Sequence, residues 1–165
     1  YKNLLTIIIP RHIHRVNKIV NEIKSLDLNI VLHSSRPKKL DNTDIYLVDT
    51  YGETQKFYQS SDIVFMGKSI SGKGGQNPLE PTSLGSTVLY GPNVDNFKDT
   101  YKLLNKLKVA YKVYGVKSLT HSIDKLITNP NNKKKYLKIA KIGKKILNET
   151  KDEINSLFNN EIKKT

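Results

Sequence analysis

Apolar runs alternate along the chain with stretches in which apolar residues recur every three or four positions, and this alternation is the signature of a parallel α/β sheet. Leu4-Leu5-Thr6-Ile7-Ile8-Ile9 reads as a strand buried on both faces and stopped by Pro10. Val16, Ile19, Val20 and Ile23 fall at helical spacing and predict an amphipathic helix over 14–26. A short strand follows from Asn29 to His33, then a polar, exposed loop from Ser34 to Thr43, then a third strand at Ile45-Tyr46-Leu47-Val48. A short helix is expected between Gly52 and Ser60, with Phe57 and Tyr58 turned inward, and a fourth strand from Asp62 to Met66. The Gly- and Ser-rich stretch from Gly67 to Gln76 leads to a helix opening at Asn77-Pro78. Pro at the first helical position sacrifices no hydrogen bond, so Asn77 is expected as its N-cap. Thr87-Val88-Leu89-Tyr90 is the fifth strand, closed by Gly91-Pro92. Asn96 to Lys106 is expected to be helical, Lys112-Val113-Tyr114 an edge strand, and Ser118 to Thr128 a helix ended by Asn129-Pro130.

From Asn131 onward the pattern changes. Tyr136, Leu137, Ala140, Gly143, Ile146 and Leu147 make one apolar stripe, and residues 131–165 carry ten Lys against four acidic residues. This Lys-rich segment is expected to be helical, its charges forming a solvated face. With no internal repeat and no long linker, residues 1–165 are expected to form a single domain, and 165 residues are enough to bury a core. No apolar run approaches the ~20 residues that span a bilayer, and Tyr1-Lys2-Asn3 leads toward a strand rather than a signal peptide.

Composition sharpens the picture at two points. The absence of Cys excludes a disulfide scaffold and any thiolate metal site. The net charge of +13 invites a nucleic-acid reading. Yet only Arg11, Arg15 and Arg36 of the 28 basic residues are Arg, no aromatic-interleaved basic stripe appears, and Lys, Asn and Ile are what an AT-rich genome supplies at permissive positions. Nucleic acid is therefore not the expected partner, whereas an anionic surface or a phosphorylated substrate fits the charge.

Ligands of open α/β sheets sit outside the carboxyl ends of the strands, and three polar clusters fall there. Pro10-Arg11-His12 follows the first strand, Asp49-Thr50-Tyr51-Gly52-Glu53 the third, and Gly72-Lys73-Gly74-Gly75-Gln76-Asn77-Pro78-Leu79-Glu80-Pro81 the fourth. Glycines at 72, 74 and 75 permit close backbone approach and expose N–H groups, the helix beginning at Pro78 adds a positive dipole end, and Glu80 could accept two ribose hydroxyls. Arg11 could clamp a phosphate. Asp49 and Glu53 could form an acid pair, or Glu53 could cap the helix beginning near Thr50. The glycine loop is neither a Walker motif nor a dinucleotide fingerprint. His12 and His14 have no third ligand at suitable spacing, so no metal is expected, and no catalytic triad pattern supports hydrolysis.

Taken in order, these clusters resemble the motifs of the 3-deoxy-D-manno-octulosonic acid (Kdo) transferases of bacterial lipopolysaccharide synthesis. The resemblance is carried by Gly74-Gly75-Gln76-Asn77-Pro78-Leu79-Glu80-Pro81 with Gly67 before and Val88-Leu89-Tyr90-Gly91-Pro92 after, by Pro10-Arg11-His12, by Asp49-Thr50-Tyr51-Gly52-Glu53, and more weakly by Asn96-Phe97-Lys98-Asp99. It covers about residues 5–110. It implies a Rossmann-like three-layer α/β/α fold, the C-terminal, donor-binding half of a GT-B glycosyltransferase. It further implies an inverting transfer of Kdo from CMP-Kdo to a lipid A precursor, peripheral to the cytoplasmic side of the bacterial inner membrane, without cofactor or metal. Carried over residue by residue, Arg11 would contact the donor phosphate and Pro10 would line the cytosine pocket. Gly75 and Asn77 would approach phosphate and sugar, Gly74 and Gln76 would belong to the same donor-binding loop, Glu80 would hold the ribose hydroxyls, and Asp49, Thr50 and Glu53 would shape the wall. The catalytic base and the membrane anchor are expected in the N-terminal half, so no residue here is assigned catalysis, and the chain alone is expected to be inactive. One departure is Gln76, where the family usually has His; Gln can exchange hydrogen bonds but cannot titrate near neutrality. Two other readings predict different behaviour: a GT-B transferase or epimerase domain with a UDP-linked donor, and a non-catalytic basic module that binds polyanions with steep salt dependence.

Overall fold

The computed structural model describes residues 4–130 together with Ile139, Lys141, Ile142, Asn148, Lys151 and Asp152. The stripe expected at Tyr136, Leu137, Ala140, Gly143, Ile146 and Leu147 lies outside these residues. The chain divides into two compact units, residues 1–57 and 58–165, each built on its own three-stranded parallel sheet.

In the first unit the strands are β1 (Thr6–Ile8), β2 (Ile30–Leu32) and β3 (Ile45–Leu47), in the order β1-β3-β2. Register pairs Thr6 and Ile30 with Ile45, and Ile8 and Leu32 with Leu47. The central strand takes the deepest places, with Leu47 and Val48 fully buried. β1 is less enclosed than its apolar run suggests: Thr6 is exposed and Ile7 and Ile8 are half-buried, because the strand lies at the edge of this sheet. A single 3-10 turn (Ile13–Arg15) leads into α1 (Val16–Lys24), whose buried face presents Val16 and Ile23, the spacing read from sequence. α2 (Thr54–Gln59) follows β3 and runs across the division between the units.

In the second unit β4 (Ile63–Met66), β5 (Thr87–Tyr90) and β6 (Ala110–Lys112) pair in parallel in that order. All four residues of β5 are buried, as a central strand covered on both faces requires. Tyr101 and Leu104 of α4 (Lys98–Lys106) pack into a core of Met66, Val88, Tyr90, Val94, Val109, Ala110 and Ile139. The Tyr90 and Tyr101 rings meet at 4.2 Å between centroids, tilted by 37°. Burial, then the neighbouring Tyr90 and Tyr58, push the Tyr101 phenol above its ordinary range.

Two of the boundaries that differ from the sequence reading have a clear local cause. β6 occupies 110–112 rather than 112–114, since the chain leaves α4 through Lys108 at φ +58° and pairs at once, Val88 N–H donating to the Val109 carbonyl at 2.9 Å. α5 (Val116–Thr128) begins two residues early because the Ser118 hydroxyl, inside the first turn, accepts from the amides of Tyr114 (2.8 Å) and Gly115 (3.1 Å).

Leu104 is fully buried, whereas its neighbour Leu103 is 40% exposed. Leu104→Ala is expected to lower unfolding free energy by about 2–4 kcal/mol, and Leu103→Ala by less than about 1 kcal/mol. Urea denaturation of both variants checks this.

Candidate functional site

The three polar clusters lie at strand carboxyl ends, as expected. After β1, the Val48 amide donates to the Ile8 carbonyl at 2.9 Å, prolonging the pairing up to the turn that carries half-buried Pro10 and exposed Arg11. The rings of His12 and His14 stack with centroids 5.4 Å apart. Among the described residues no group of three or more His, Cys, Asp and Glu side chains is placed to hold a metal ion. The Tyr51 hydroxyl, at 3.5 Å from the Ile13 amide, reaches this turn from the segment after β3.

That second segment is a dense polar knot. Asp49 accepts from the Ser34 amide at 2.8 Å and from the Ser34 hydroxyl at 2.5 Å. Partial burial pushes the Asp49 carboxyl up, but hydrogen bonds from Ser34 and from its own amide, helped by the proximity of His33, bring it below its ordinary value. Glu53 immediately precedes α2. Its Oε1 accepts from Lys56 Nζ at 3.0 Å, and its Oε2 accepts from the Thr50 hydroxyl at 3.0 Å and lies 2.7 Å from His33 Nε2. The hydrogen bonds from Lys56, then His33, then Thr50 pull the Glu53 carboxyl down from 4.5 to about 2. His33 Nδ1 lies 2.7 Å from the Tyr46 hydroxyl, and Phe57 packs edge-on against the imidazole at 5.3 Å.

This arrangement corrects the acid-pair reading of Asp49 and Glu53. Two carboxylates sharing a site would drive one pKa up. Here each has its own donors and both pKa values fall, so neither is a proton carrier near neutrality. Nor does a helix start at Thr50: α2 begins at Thr54, and Thr50 instead donates to Glu53.

In the second unit the glycine loop is anchored before it opens. Ser69 is fully buried; its hydroxyl donates to the Met66 carbonyl at 2.5 Å and accepts from the Gly91 amide at 2.8 Å. The Ser69 carbonyl accepts from the Asn93 amide at 2.9 Å, and Asn93 Nδ2 donates to the Ile70 carbonyl at 2.8 Å. The segments after β4 and β5 are thereby clasped together. Gly74 (φ +86°) and Gly75 (φ +66°) lie against residues 93–96, where a Cβ on Gly74 would sit 2.7 Å from Asn96 Nδ2 and one on Gly75 would sit 3.0 Å from Val94 Cα. The close approach expected of these glycines is thus made to the chain's own backbone and Asn96. The Gly72 amide is likewise used internally, donating to the Lys68 carbonyl at 2.8 Å.

The buried phenol of Tyr101 donates to the Gln76 carbonyl at 2.9 Å, tying the core to the end of the loop. Asn77 Oδ1 accepts from the Leu79 amide at 3.0 Å, but the capping position belongs to Pro78, one residue later than expected. The helix that follows, α3 (Leu79–Ser83), has five residues, so its dipole contribution is small. Glu80 is exposed in its first turn, and its charge acts, after burial, to raise the pKa of Tyr58.

The structure therefore unites Asp49, Thr50 and Glu53 in one network, and Gly74, Gly75, Gln76 and Asn77 in one anchored loop with Glu80 on the following helix. Sequence reasoning missed His33, Ser34, Tyr46 and Lys56. The available signal was position: His33 follows β2, whose carboxyl end neighbours that of β3.

No protein-family model matches the chain. A 3-deoxy-D-manno-octulosonic acid transferase of Haemophilus influenzae is 28% identical over 159 residues, which is 96% of this chain and 36% of that enzyme. Over nearly its whole length the chain is similar to Kdo transferases. A bifunctional glycosyltransferase/methyltransferase of Fusobacterium nucleatum is 31% identical over 170 residues, 95% of this chain and 27% of that protein. The chain thus spans roughly a third of the length of the curated relatives it matches. The crystal structure of the C-terminal CMP-Kdo binding domain of WaaA from Acinetobacter baumannii superposes with a TM-score of 0.77 at 23% identity, covering 84% of this chain and 75% of that one. The fold is that of this domain, an α/β architecture with parallel sheets, in agreement with the fold class implied by the sequence motifs.

Because the folded-state pKa of Glu53 is depressed, its contribution to stability is complete above 4.5 and is lost as pH falls through about 2. The urea midpoint is expected to fall across that window, and less steeply in Glu53→Gln. Gly74→Ala is expected to cost about 1–3 kcal/mol, from the left-handed backbone and the clash with Asn96. Asn96→Ala in the same chain should recover the clash but not the backbone part, which a double-mutant cycle resolves.

Proposed function

We propose that this chain is the donor-binding domain of an inverting glycosyltransferase that moves Kdo from CMP-Kdo to a lipid A precursor. The observation that carries the reading is that homology over 96% of the chain coincides with motif residues placed at the carboxyl ends of β1, β3 and β4 on this fold. In this reading Arg11 contacts the donor phosphate, Pro10 lines the base pocket, and Gly74, Gly75, Gln76 and Asn77 approach phosphate and sugar. Glu80, exposed and in the first turn of α3, is available to accept the ribose hydroxyls. Asp49, Thr50 and Glu53 shape the wall.

The chemistry asked of such a domain is to hold CMP as leaving group while an acceptor hydroxyl displaces it at the anomeric carbon. Positive and N–H groups aimed at the phosphate stabilise the charge that develops there. The acceptor, the catalytic base and a peripheral position on the cytoplasmic face of the inner membrane belong to this proposal for the whole enzyme. Among the described residues no helix is long and apolar enough to cross a membrane. The Lys surplus of the chain suits an anionic lipid surface.

Isothermal titration of the chain with CMP is expected to give saturable binding that Glu80→Ala weakens about tenfold, the loss of hydrogen bonds to a charged group. Equal or tighter binding of UMP would favour a UDP-linked donor. Binding of polyanions that ignores Glu80→Ala and collapses with salt would favour the non-catalytic basic module. Absence of CMP binding at millimolar concentration would sink the donor reading for this chain.

A further inference from the structure

The knot after β3 contains a residue that no motif singled out. His33 directly follows β2, one strand away from the turn it serves, and both its ring nitrogens are engaged at 2.7 Å, by Tyr46 on one side and Glu53 on the other. We propose that His33 is a positioning residue: held as the Nε2–H tautomer by the Tyr46 hydroxyl, it fixes the Glu53 carboxylate and thereby the 49–53 turn in the conformation that forms the donor-binding wall. This rests on the donor reading for its consequence, but its structural part stands by itself.

The chemistry of the neighbours dictates the tautomer. An ionised carboxylate only accepts hydrogen bonds, so the hydrogen between Glu53 and the ring must lie on Nε2. In the neutral ring the remaining nitrogen, Nδ1, then accepts from the Tyr46 hydroxyl, whose phenol keeps its proton because burial, then the charges of Glu53 and Asp49, raise its pKa. Edge-on contact with Phe57 and Tyr46 fixes the ring plane. The charged groups facing the imidazole are Glu53 and Asp49, and Lys56 reaches it through Glu53.

Both oxygens of Glu53 are engaged within the protein, Oε1 by Lys56 and Oε2 by Thr50 and His33. It is therefore a strut rather than a ligand. By holding Thr50 from the far side, it closes the loop 50–53 on itself and leaves Tyr51 and Gly52, both exposed, as the outward face of the turn. Of these three donors His33 alone comes from outside the segment 50–56, from the end of the neighbouring strand β2, so it registers the turn against the sheet.

The geometry separates three substitutions. In His33→Gln the side-chain amide nitrogen can replace Nε2 as donor to Glu53, in His33→Asn only the Nδ1 position is mimicked, and His33→Leu removes both. Nitrogen-15 NMR of the intact chain at pH 8 is expected to show an unprotonated Nδ1 and a protonated Nε2. Backbone relaxation of residues 50–53 should report increased motion in His33→Asn and His33→Leu, but not in His33→Gln. CMP affinity, by titration, should fall about five- to tenfold in the first two and stay within about twofold in the third. A ring protonated on Nδ1 alone, or a turn whose relaxation is unchanged in His33→Asn, overturns the proposal without reference to CMP. If the turn loosens as expected while the wild-type chain binds no CMP, the donor reading fails and the positioning role of His33 in the turn is retained. Equal loss in all three variants means that Nε2 is not the acting atom, which also overturns it.

Discussion

The buried hydroxyl of Ser69 is the constraint on which the glycine loop depends. It donates to the carbonyl of the strand it has just left and accepts from the amide of Gly91 at the end of the neighbouring strand, so two segments that would otherwise be independent loops share one origin. The approach is so close that a Cβ on Gly91 would lie 2.3 Å from the Ser69 carbonyl oxygen, which excludes every other residue at 91 in this geometry. From this clasp the chain can run out to Gly74 and Gly75 and return at Asn77 in a fixed path. An ordered loop keeps most of its entropy cost inside folding, so that a ligand does not have to supply it.

The first unit solves the same problem with charge. A half-buried carboxylate surrounded by an ammonium, a hydroxyl and an imidazole is a rigid object, because each donor is held by a different backbone segment. Most of the +13 net charge of the chain is carried by Lys, a compact and strongly hydrated charge on a flexible stem. Lys56 differs in having Glu53 at 3.0 Å. Bulk charge and organised charge are thus separate properties here. The first concerns association with anionic surfaces, and the second concerns the shape of a turn.

Much of the architecture was legible from periodicity. Among the described residues, β1 to β5 and the buried face of α1 follow from apolar runs and helical spacing, since burial in a parallel sheet leaves little choice of residue. Where the reading slipped, a side chain acted at a distance that spacing does not encode. Ser118 reaches back to start α5 early, and Ala110, with weak preference for strands, is nevertheless drawn into β6 by the amide of Val88 pairing beside it. At the site, the motif residues were visible because they are contiguous. His33, Ser34 and Tyr46 were not, because what unites them with Glu53 and Asp49 is the lateral order of strands β2 and β3, and lateral order is a property of the folded sheet. The glycines carried a subtler ambiguity. Their conformational freedom was foreseen, but a sequence does not say whether the space a missing Cβ leaves is filled by a ligand or, as Asn96 and Val94 show, by the protein.

Tyr101 joins these two scales in one side chain. Its ring belongs to the core and its hydroxyl belongs to the loop, through the carbonyl of Gln76. Gln76 is therefore held by its main chain, and its side chain can be exchanged without releasing the loop. A substitution at 76 would thus alter side-chain chemistry while the path of the backbone stays fixed from beneath by a core residue.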